Sequence, residues 1–249
     1  NITTAASLVA AAGGVKMIKC GNRSVSSKSG SADVLEALNI PLDLDPERAV
    51  RQFESSNFTF LFAPAYNPAI AHVQPVRKAL GVSTLFNTMG PLLSPARPEF
   101  QIMGIANPAQ GQLIAETMRE LGRGRAMVVH GAGTDELAVH GESQIWELDR
   151  DGTITHTTVT PEELGLARHS LEDLRGGDGA ANAAAMRATF AGEGPQAHRD
   201  AVAATAGAMF YLYGTTDTIA DGVQHALALL ADATVHTWLR RHEEADYSA

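Results

Sequence analysis

A polar segment rich in hydroxyl and cationic side chains lies near the start of the sequence. It runs from Lys19 to Ser31 and holds five serines, two lysines, one arginine, one asparagine and two glycines. Glycines let the backbone approach a ligand, and a helix expected to start near Ser31 adds the positive end of its dipole. This composition predicts a phosphate-binding loop, and the alternative is a solvated serine-rich turn.

An acidic pair forms the second candidate site. Asp135 and Glu136 lie in the segment His-Gly-Ala-Gly-Thr-Asp-Glu-Leu, which follows a predicted buried strand. In α/β folds, carboxylates at the carboxyl end of a strand commonly bind phosphates through a metal ion. Adjacent carboxylates also repel each other unless a cation lies between them. The segment therefore indicates a metal–phosphate site, and an ordinary acidic turn is the alternative.

Two further segments could bind anions. Asn1-Ile-Thr-Thr4 places two hydroxyls at a predicted helix start, where plain N-capping explains them equally well. Arg77 lies on a predicted helix with the apolar companions Val73, Val76 and Leu80. An arginine there could clamp a carboxylate, although such a residue is more often exposed or an ion-pair partner.

Several other motifs carry no predicted chemistry. Four histidines are scattered without metal-ligand spacing and are interpreted as structural or surface residues: His72, His130, His140 and His156. Gly176-Gly177-Asp178-Gly179 lies between two helical patterns and is interpreted as a turn. The sequence has no Ser-His-Asp set, no Walker motif and no dinucleotide fingerprint.

Length and charge limit the class of protein. A chain of 249 residues that is 45% hydrophobic can bury the core of one large domain. Its net charge of −9 argues against broad binding to nucleic acid or to an anionic membrane, though not against a phosphorylated ligand. The single cysteine, Cys20, cannot form an internal disulfide, which fits a reducing cytoplasm. No apolar run is long enough to cross a membrane.

Short β-branched runs alternate with longer helical runs, which predicts an α/β fold. Strands are expected at Val15–Lys19, Phe58–Phe62, Gln101–Ile105 and Arg125–His130, followed by a hairpin within Glu136–Thr158 that turns at Gly152. Helices are expected at Thr3–Ala12, Ser31–Leu38, Asp45–Asn57, Pro68–Leu80, Pro108–Leu121, Ala180–Phe190, His198–Tyr213 and Asp217–Arg241. The last three helices make the C-terminal third helical.

These segments together resemble the anthranilate phosphoribosyltransferase family along essentially the whole chain, with the greatest similarity to enzymes of the high-GC Gram-positive type. The most specific match is Lys19–Leu38. Further matches are Asn1-Ile-Thr-Thr4, Phe62-Ala-Pro64, Pro75-Val-Arg77, Phe86-Asn-Thr-Met-Gly-Pro-Leu92 and Thr134-Asp-Glu136.

The resemblance implies a fold shared with the pyrimidine nucleoside phosphorylases. In that fold a small helical domain is hinged to a large α/β domain with a central, mostly parallel sheet. Residues 1–249 would be the catalytic α/β domain that binds phosphoribosyl pyrophosphate (PRPP), with about residues 68–90 packing on the helical-domain side of the hinge. The implied activity is transfer of the phosphoribosyl group of PRPP to the amine of anthranilate in tryptophan biosynthesis, with Mg²⁺, usually by a cytoplasmic homodimer.

The resemblance also assigns residues to the site. PRPP contacts would be Asn1, Thr3, Thr4, Lys19, Gly21, Asn22, Arg23, Ser24, Val25, Ser26, Ser27 and Ser31. Anthranilate contacts would be Asn22 and Arg77, and Mg²⁺ ligands would be Thr3, Asp135 and Glu136. Anthranilate's aryl amine is already neutral near pH 7, so the reaction needs no strong base. This agrees with the lack of any evident catalytic His–acid pair in the sequence.

The sequence departs from the family pattern in three places. The family's Gly-Thr-Gly-Gly-Asp loop and N-terminal helices are expected before Asn1, so we expect the 249 residues alone to fold but to turn over slowly or not at all. The family usually has His at the position of Cys20, and often has His near Tyr66-Asn67.

Three other functions remain as alternatives. A nucleoside phosphorylase of the same fold would use phosphate and a nucleobase instead. A paralogue that binds nucleic acid would need a basic groove, against which the net charge of −9 argues. The third alternative is a folded module without activity.

Overall fold

The structure, a computed structural model, describes residues 1–23, 28–66 and 85–247. Its strands are β1 (Met17–Gly21), β2 (Phe58–Phe62), β3 (Phe100–Gly104), β4 (Arg125–Gly131), β5 (Ser143–Leu148) and β6 (Ile154–Val159). Its helices are α1 (Ile2–Ala12), α2 (Ser31–Ala37), α3 (Pro46–Ser56), α4 (Ala63–Tyr66), α5 (Leu85–Leu92), α6 (Gly111–Glu120), α7 (Gly179–Phe190), α8 (Gln196–Tyr213), α9 (Ile219–Ala231) and α10 (Thr234–His242).

The α/β fold is confirmed, and its strands pair in both directions. β1 pairs with β2 in parallel, and β3 pairs with β4 in parallel. β4, β5 and β6 then run antiparallel, in the order β3-β4-β5-β6. The predicted hairpin thus makes this sheet mixed rather than mostly parallel. Residues 136–142, which the hairpin prediction included, form no strand, and β5 begins only at Ser143.

Local capping explains why most helix boundaries agree with the sequence. Asp45 precedes α3, and its side chain accepts a hydrogen bond from the Arg48 N–H at 2.9 Å. Pro46 occupies the first helical position, where its missing N–H costs nothing. Asn57 ends the helix in the left-handed conformation at φ 60°. The prediction of a helix over Asp45–Asn57 is therefore confirmed within one residue at each end.

The C-terminal helix is the clearest difference from the sequence prediction. A single helix over Asp217–Arg241 was expected, but α9 ends at Ala231 and α10 begins at Thr234. Ala233 takes a left-handed φ of 61°, and the Asp232 side chain accepts a hydrogen bond from the Thr234 N–H at 2.9 Å. The prediction of one helix was wrong because this aspartate-capped turn was not recognised in an Ala-rich apolar pattern.

The core brings α1 to the centre of the molecule. Residues Thr4 to Ala11 of α1 are all buried, as expected for a helix surrounded by other elements. Small residues let the surrounding helices approach: a Cβ on Gly207 of α8 would lie 2.5 Å from the backbone nitrogen of Val223 in α9. The core therefore encloses α1 along most of its length.

Two remaining predictions concern the middle of the chain. The helix expected at Pro68–Leu80 lies outside the described residues. The helix expected at Pro108–Leu121 is present, but its first turn is a 3₁₀ turn over Pro108–Gln110 before α6 begins. Within the described parts of the chain, no helix is long and apolar enough to span a bilayer.

Candidate active site

The N-terminus of α1 meets the acidic pair. The Thr3 N–H donates to Oε1 of Glu136 at 3.2 Å, and the Thr3 hydroxyl donates to Oε2 of the same carboxylate at 2.7 Å. These residues are 133 positions apart in the chain. Both were predicted metal ligands, and the structure brings them into direct contact.

The loop that carries the acidic pair is shaped by its glycines and by a close backbone contact. After β4 ends at Gly131, Ala132 and Gly133 take left-handed φ values of 46° and 92°. The Thr134 hydroxyl then donates to the Gly131 carbonyl at 2.7 Å, which closes a tight turn. Gly104, the last residue of β3, packs so closely that an added Cβ would lie 1.7 Å from the Asp135 carbonyl oxygen.

His130 supports the same loop. Its Nδ1 lies 2.9 Å from the Ile105 carbonyl, and its Nε2 accepts a hydrogen bond from the Gly133 N–H at 3.3 Å. Because a backbone N–H can only donate, Nε2 must be the acceptor and Nδ1–H the donor. The structural role predicted for His130 fits these contacts, since both ring nitrogens are used to hold the backbone.

Lys19 supplies the positive charge of the site. It lies on β1, where the parallel pairing with β2 places it in register with Phe60. Burial lowers the pKa of its ammonium, while Glu136, Cys20 and Asp135 act in the opposite direction. Burial raises the pKa of Glu136, helped by Asp135 and opposed by the hydrogen bonds from Thr3 and by the charge of Lys19. The lysine and the two acids thus belong to one electrostatic site.

A cavity of about 650 Å³ adjoins these groups. Its apolar wall comes from β1, β3 and the end of α8, including Ile18, Ile102 and Met209. The predicted site residues that line it are Asn1, Thr3, Thr4, Lys19, Ser31, Asp135 and Glu136. The structure therefore gathers the predicted anion-binding segment Asn1-Ile-Thr-Thr4, Lys19 and the acidic pair around a single space.

Among the described residues, three predicted PRPP contacts are not part of the cavity lining: Gly21, Asn22 and Arg23. The Arg23 guanidinium forms a bidentate ion pair with Glu36 on the exposed surface of α2. This ion pair raises the pKa of Arg23. The Asn22 side chain accepts a hydrogen bond from the Arg23 N–H at 2.8 Å. Gly21 has a packing role, because a Cβ there would lie 2.8 Å from the Phe60 ring and 3.2 Å from the Ser31 Cβ. Ser24, Val25, Ser26, Ser27 and Arg77 lie outside the described residues.

Sequence reasoning missed three residues near this space. Ser94 lines the cavity and accepts a hydrogen bond from the Cys20 thiol at 3.3 Å, and burial raises the pKa of that thiol. Ser29, although part of the predicted loop, was not assigned a contact, yet its hydroxyl donates to Asn1 at 3.1 Å. Asn182 also donates to Asn1, at 3.0 Å. The only sequence signal for Asn182 was its position after the glycine-rich turn.

Comparisons with known proteins identify the family to which the chain belongs. Residues 1–235 match the model of the glycosyl transferase family, a/b domain, so the chain belongs to that family of transferases. Within it, the chain is 74% identical over 249 residues to the anthranilate phosphoribosyltransferase of Corynebacterium aurimucosum, and covers 72% of that relative. It is 73% identical over 248 residues to the enzyme of Corynebacterium glutamicum strain R, with 71% covered. The chain is a member of the anthranilate phosphoribosyltransferases.

Solved structures show the same relationship. The crystal structure of the Thermus thermophilus anthranilate phosphoribosyltransferase superposes with a TM-score of 0.91 at 44% identity, over 98% of this chain and 72% of that one. The Saccharomyces cerevisiae enzyme in complex with PRPP and Mg superposes with a TM-score of 0.85 at 22% identity, over 98% of this chain and 69% of that one. The second likeness is evidence for the fold alone.

Proposed function

We propose that the protein transfers the phosphoribosyl group of PRPP to the amine of anthranilate. The products are N-(5-phosphoribosyl)anthranilate and pyrophosphate, in tryptophan biosynthesis. The observation that carries the proposal is the contact between Thr3 and Glu136 beside Lys19, because it places hydroxyl, carboxylate and ammonium groups at one end of a cavity. Membership of the family supports the choice of both substrates.

The residues present fit Mg²⁺ when substrate phosphates complete its coordination. The described residues contain no group of three or more His, Cys, Asp or Glu side chains that could hold a metal ion. Asp135, Glu136 and the Thr3 hydroxyl offer oxygen ligands only. Mg²⁺ favours this kind of site, with one or two carboxylates plus phosphate and water. Mg²⁺ bound there would neutralise the negative charge that develops on the departing pyrophosphate.

The reaction is a displacement of pyrophosphate at C1 of the ribose. The bond between C1 of the ribose and the pyrophosphate oxygen breaks, and a bond forms between C1 and the anthranilate nitrogen. The nitrogen loses its proton afterwards, and pyrophosphate carries away the electron pair of the broken bond. Lys19 would stabilise the leaving group, since its side chain is half-buried on the cavity wall and a nearby phosphate would offset the burial that lowers its pKa.

The remaining assignments rest on the family pattern. Asn1, Thr3, Thr4, Ser31 and the loop from Gly21 to Ser27 would hold PRPP. Asn22 and Arg77 would bind anthranilate, with Arg77 clamping the carboxylate. Residues 1–249 would form the PRPP-binding domain, with about residues 68–90 turned toward a helical domain, in a homodimer.

The competing function is phosphorolysis of pyrimidine nucleosides by the same fold. Protein purified together with the N-terminal helices and the Gly-Thr-Gly-Gly-Asp loop of the family should release pyrophosphate from PRPP only when anthranilate and Mg²⁺ are both present. It should release no nucleobase from uridine or thymidine in the presence of phosphate. Nucleobase release without transfer to anthranilate would overturn the proposal.

Variants of the acidic pair test the site itself. Asp135→Asn and Glu136→Gln should each raise the Mg²⁺ concentration needed for half-maximal turnover by at least about tenfold, the cost of one lost charged contact. Glu142→Gln is the matched control, because Glu142 is an acid six residues beyond Glu136 that does not line the cavity. Unchanged metal dependence in both site variants would contradict the assignment.

A further inference from the structure

Asn182 lies in the first turn of α7 and joins that helix to the start of α1. Its Nδ2 donates to Oδ1 of Asn1 at 3.0 Å and to the Gly177 carbonyl at 3.1 Å. Its Oδ1 accepts a hydrogen bond from the Gly177 N–H at 2.8 Å. These three polar contacts of one side-chain amide are therefore made to two residues, one on its own turn and one at the cavity.

The Gly177 contacts fix which end of the Asn182 amide faces Asn1. A backbone N–H can only donate, so the atom that faces it must be the oxygen. The amide nitrogen then points toward Asn1, which must present an acceptor. Ser29 donates to the same Oδ1 of Asn1 at 3.1 Å. With its oxygen facing two donors, Asn1 keeps its amide nitrogen as the group that can donate to a ligand in the cavity.

The glycine-rich turn is built to hold Asn182 in this orientation. A Cβ on Gly176 would lie 2.8 Å from Oδ1 of Asn182, so no larger residue fits there while the side chain stays in place. A Cβ on Gly179 would lie 3.0 Å from the Asp33 carbonyl oxygen, which shows how closely the turn packs on α2. Asp33 in turn accepts a hydrogen bond from the Gly30 N–H at 2.7 Å, next to Ser29.

We infer that Asn182 is a positioning residue for PRPP binding, which orients the side-chain amide of Asn1 so that its N–H groups face the bound substrate. The inference rests on the proposed function, in which Asn1 contacts PRPP. Asn182 itself does not line the cavity, so its effect passes through Asn1. The segment from Gly176 to Asn182 is thereby more than a connection between two helices.

Two variants separate positioning from simple support of the turn. Asn182→Ala removes every contact of the amide. Asn182→Asp keeps an acceptor for the Gly177 N–H but presents a carboxylate to Asn1, which favours turning the Asn1 amide so that its oxygen faces the ligand. Asn182→Ala should raise the KM for PRPP by about three- to tenfold, the range for one hydrogen bond, with kcat within about twofold. Asn182→Asp should raise that KM at least as much, while its melting temperature stays closer to wild type.

A role in the turn alone predicts the opposite order, with Asn182→Asp less defective in KM than Asn182→Ala, because the aspartate keeps one of the two Gly177 contacts. Asn107→Ala is the matched control, since within the described parts of the chain the Asn107 side chain caps its own turn, through the Ala109 N–H at 3.1 Å. It should leave the KM for PRPP unchanged. Isothermal titration with PRPP and Mg²⁺ provides the same comparison for any variant whose turnover is too slow to measure.

A double-mutant cycle with Asn1→Ala tests the route of the effect. If Asn182 acts through Asn1, then Asn182→Ala should change PRPP affinity by less than about twofold once Asn1 is already alanine, because coupled residues are not additive. Equal effects in both backgrounds would overturn the inference, and so would an Asn182→Asp variant with wild-type affinity. Failure of the proposed function would look different, since wild-type protein that includes the N-terminal helices and glycine loop of the family would then not consume PRPP with anthranilate.

Discussion

Replacing Thr3 by valine tests the contact on which the site is built. Valine has nearly the shape of threonine but lacks the hydroxyl that donates to Oε2 of Glu136 at 2.7 Å. The backbone N–H of residue 3 would still reach Oε1, at 3.2 Å. The substitution therefore removes one of two hydrogen bonds from the carboxylate without opening a cavity.

The size of the effect follows from these two contacts. A hydrogen bond to a charged group contributes about 1.5–3 kcal/mol, and the remaining N–H contact favours the lower end of this range. About 1.4 kcal/mol corresponds to a tenfold change in rate. The Thr3 hydrogen bonds also oppose the burial that raises the pKa of Glu136. Losing one of them favours the neutral acid, which is a poor ligand for a divalent cation. We expect kcat/KM for PRPP to fall about tenfold or somewhat more.

The assay is steady-state formation of phosphoribosylanthranilate at several Mg²⁺ concentrations. Thr3→Ser serves as the matched control, because it keeps the hydroxyl and loses only the methyl group. It should stay within about fourfold of wild type, since one methyl group contributes about 0.8 kcal/mol. If Thr3→Val has the kcat/KM and the Mg²⁺ dependence of wild type, then the contact with Glu136 does not organise the metal site.

Three further substitutions test other parts of the site. Gly104→Ala should destabilise the protein by about 3 kcal/mol or more in urea denaturation and lower activity, because the new Cβ would lie 1.7 Å from the Asp135 carbonyl oxygen; a wild-type midpoint would contradict this packing. Cys20→His should leave kcat and the KM for anthranilate unchanged if the buried thiol is only a packing variant, whereas a rise in kcat would show that the cysteine impairs the site. Arg77→Ala should raise the KM for anthranilate much more than that for PRPP, by about 1.5–3 kcal/mol, and equal effects on both would exclude an acceptor-specific role.

Elements with strong local signals could be predicted from the sequence. β2 has the predicted bounds, Phe58–Phe62, because a buried aromatic strand is bounded by a left-handed Asn57 and by Pro64. α7 and α8 begin within two residues of their expected starts. The break between α9 and α10 was missed, since it depends on one aspartate cap and one left-handed alanine rather than on glycine or proline.

The site is harder to predict from the sequence than the fold is. Residue types alone left the acidic pair and the serine-rich loop open to ordinary structural explanations, and only the family resemblance joined them. The contact between Thr3 and Glu136 spans 133 residues, so no local pattern encodes it. It depends on the buried axis of α1 and on the close approach of Gly104 to Asp135, which are properties of the packed molecule.

The glycine-rich turn shows no link to the site in the sequence, for a similar reason. In the sequence, Gly176 to Gly179 resemble any turn between helices, because glycine is common where a chain must reverse direction. In the structure, the lack of side chains at Gly176 and Gly179 serves a second purpose, which is to admit Asn182 on one side and α2 on the other. In a sequence, a glycine that makes room for a neighbouring side chain looks the same as a glycine that its own backbone conformation requires. The two can be distinguished only when the position of the neighbouring side chain is known. The positions most informative about this site are therefore those where an added Cβ would collide with it. Gly104 and Gly131 meet the carbonyl oxygens of Asp135 and Glu136 in this way, and Gly176 meets the side chain of Asn182.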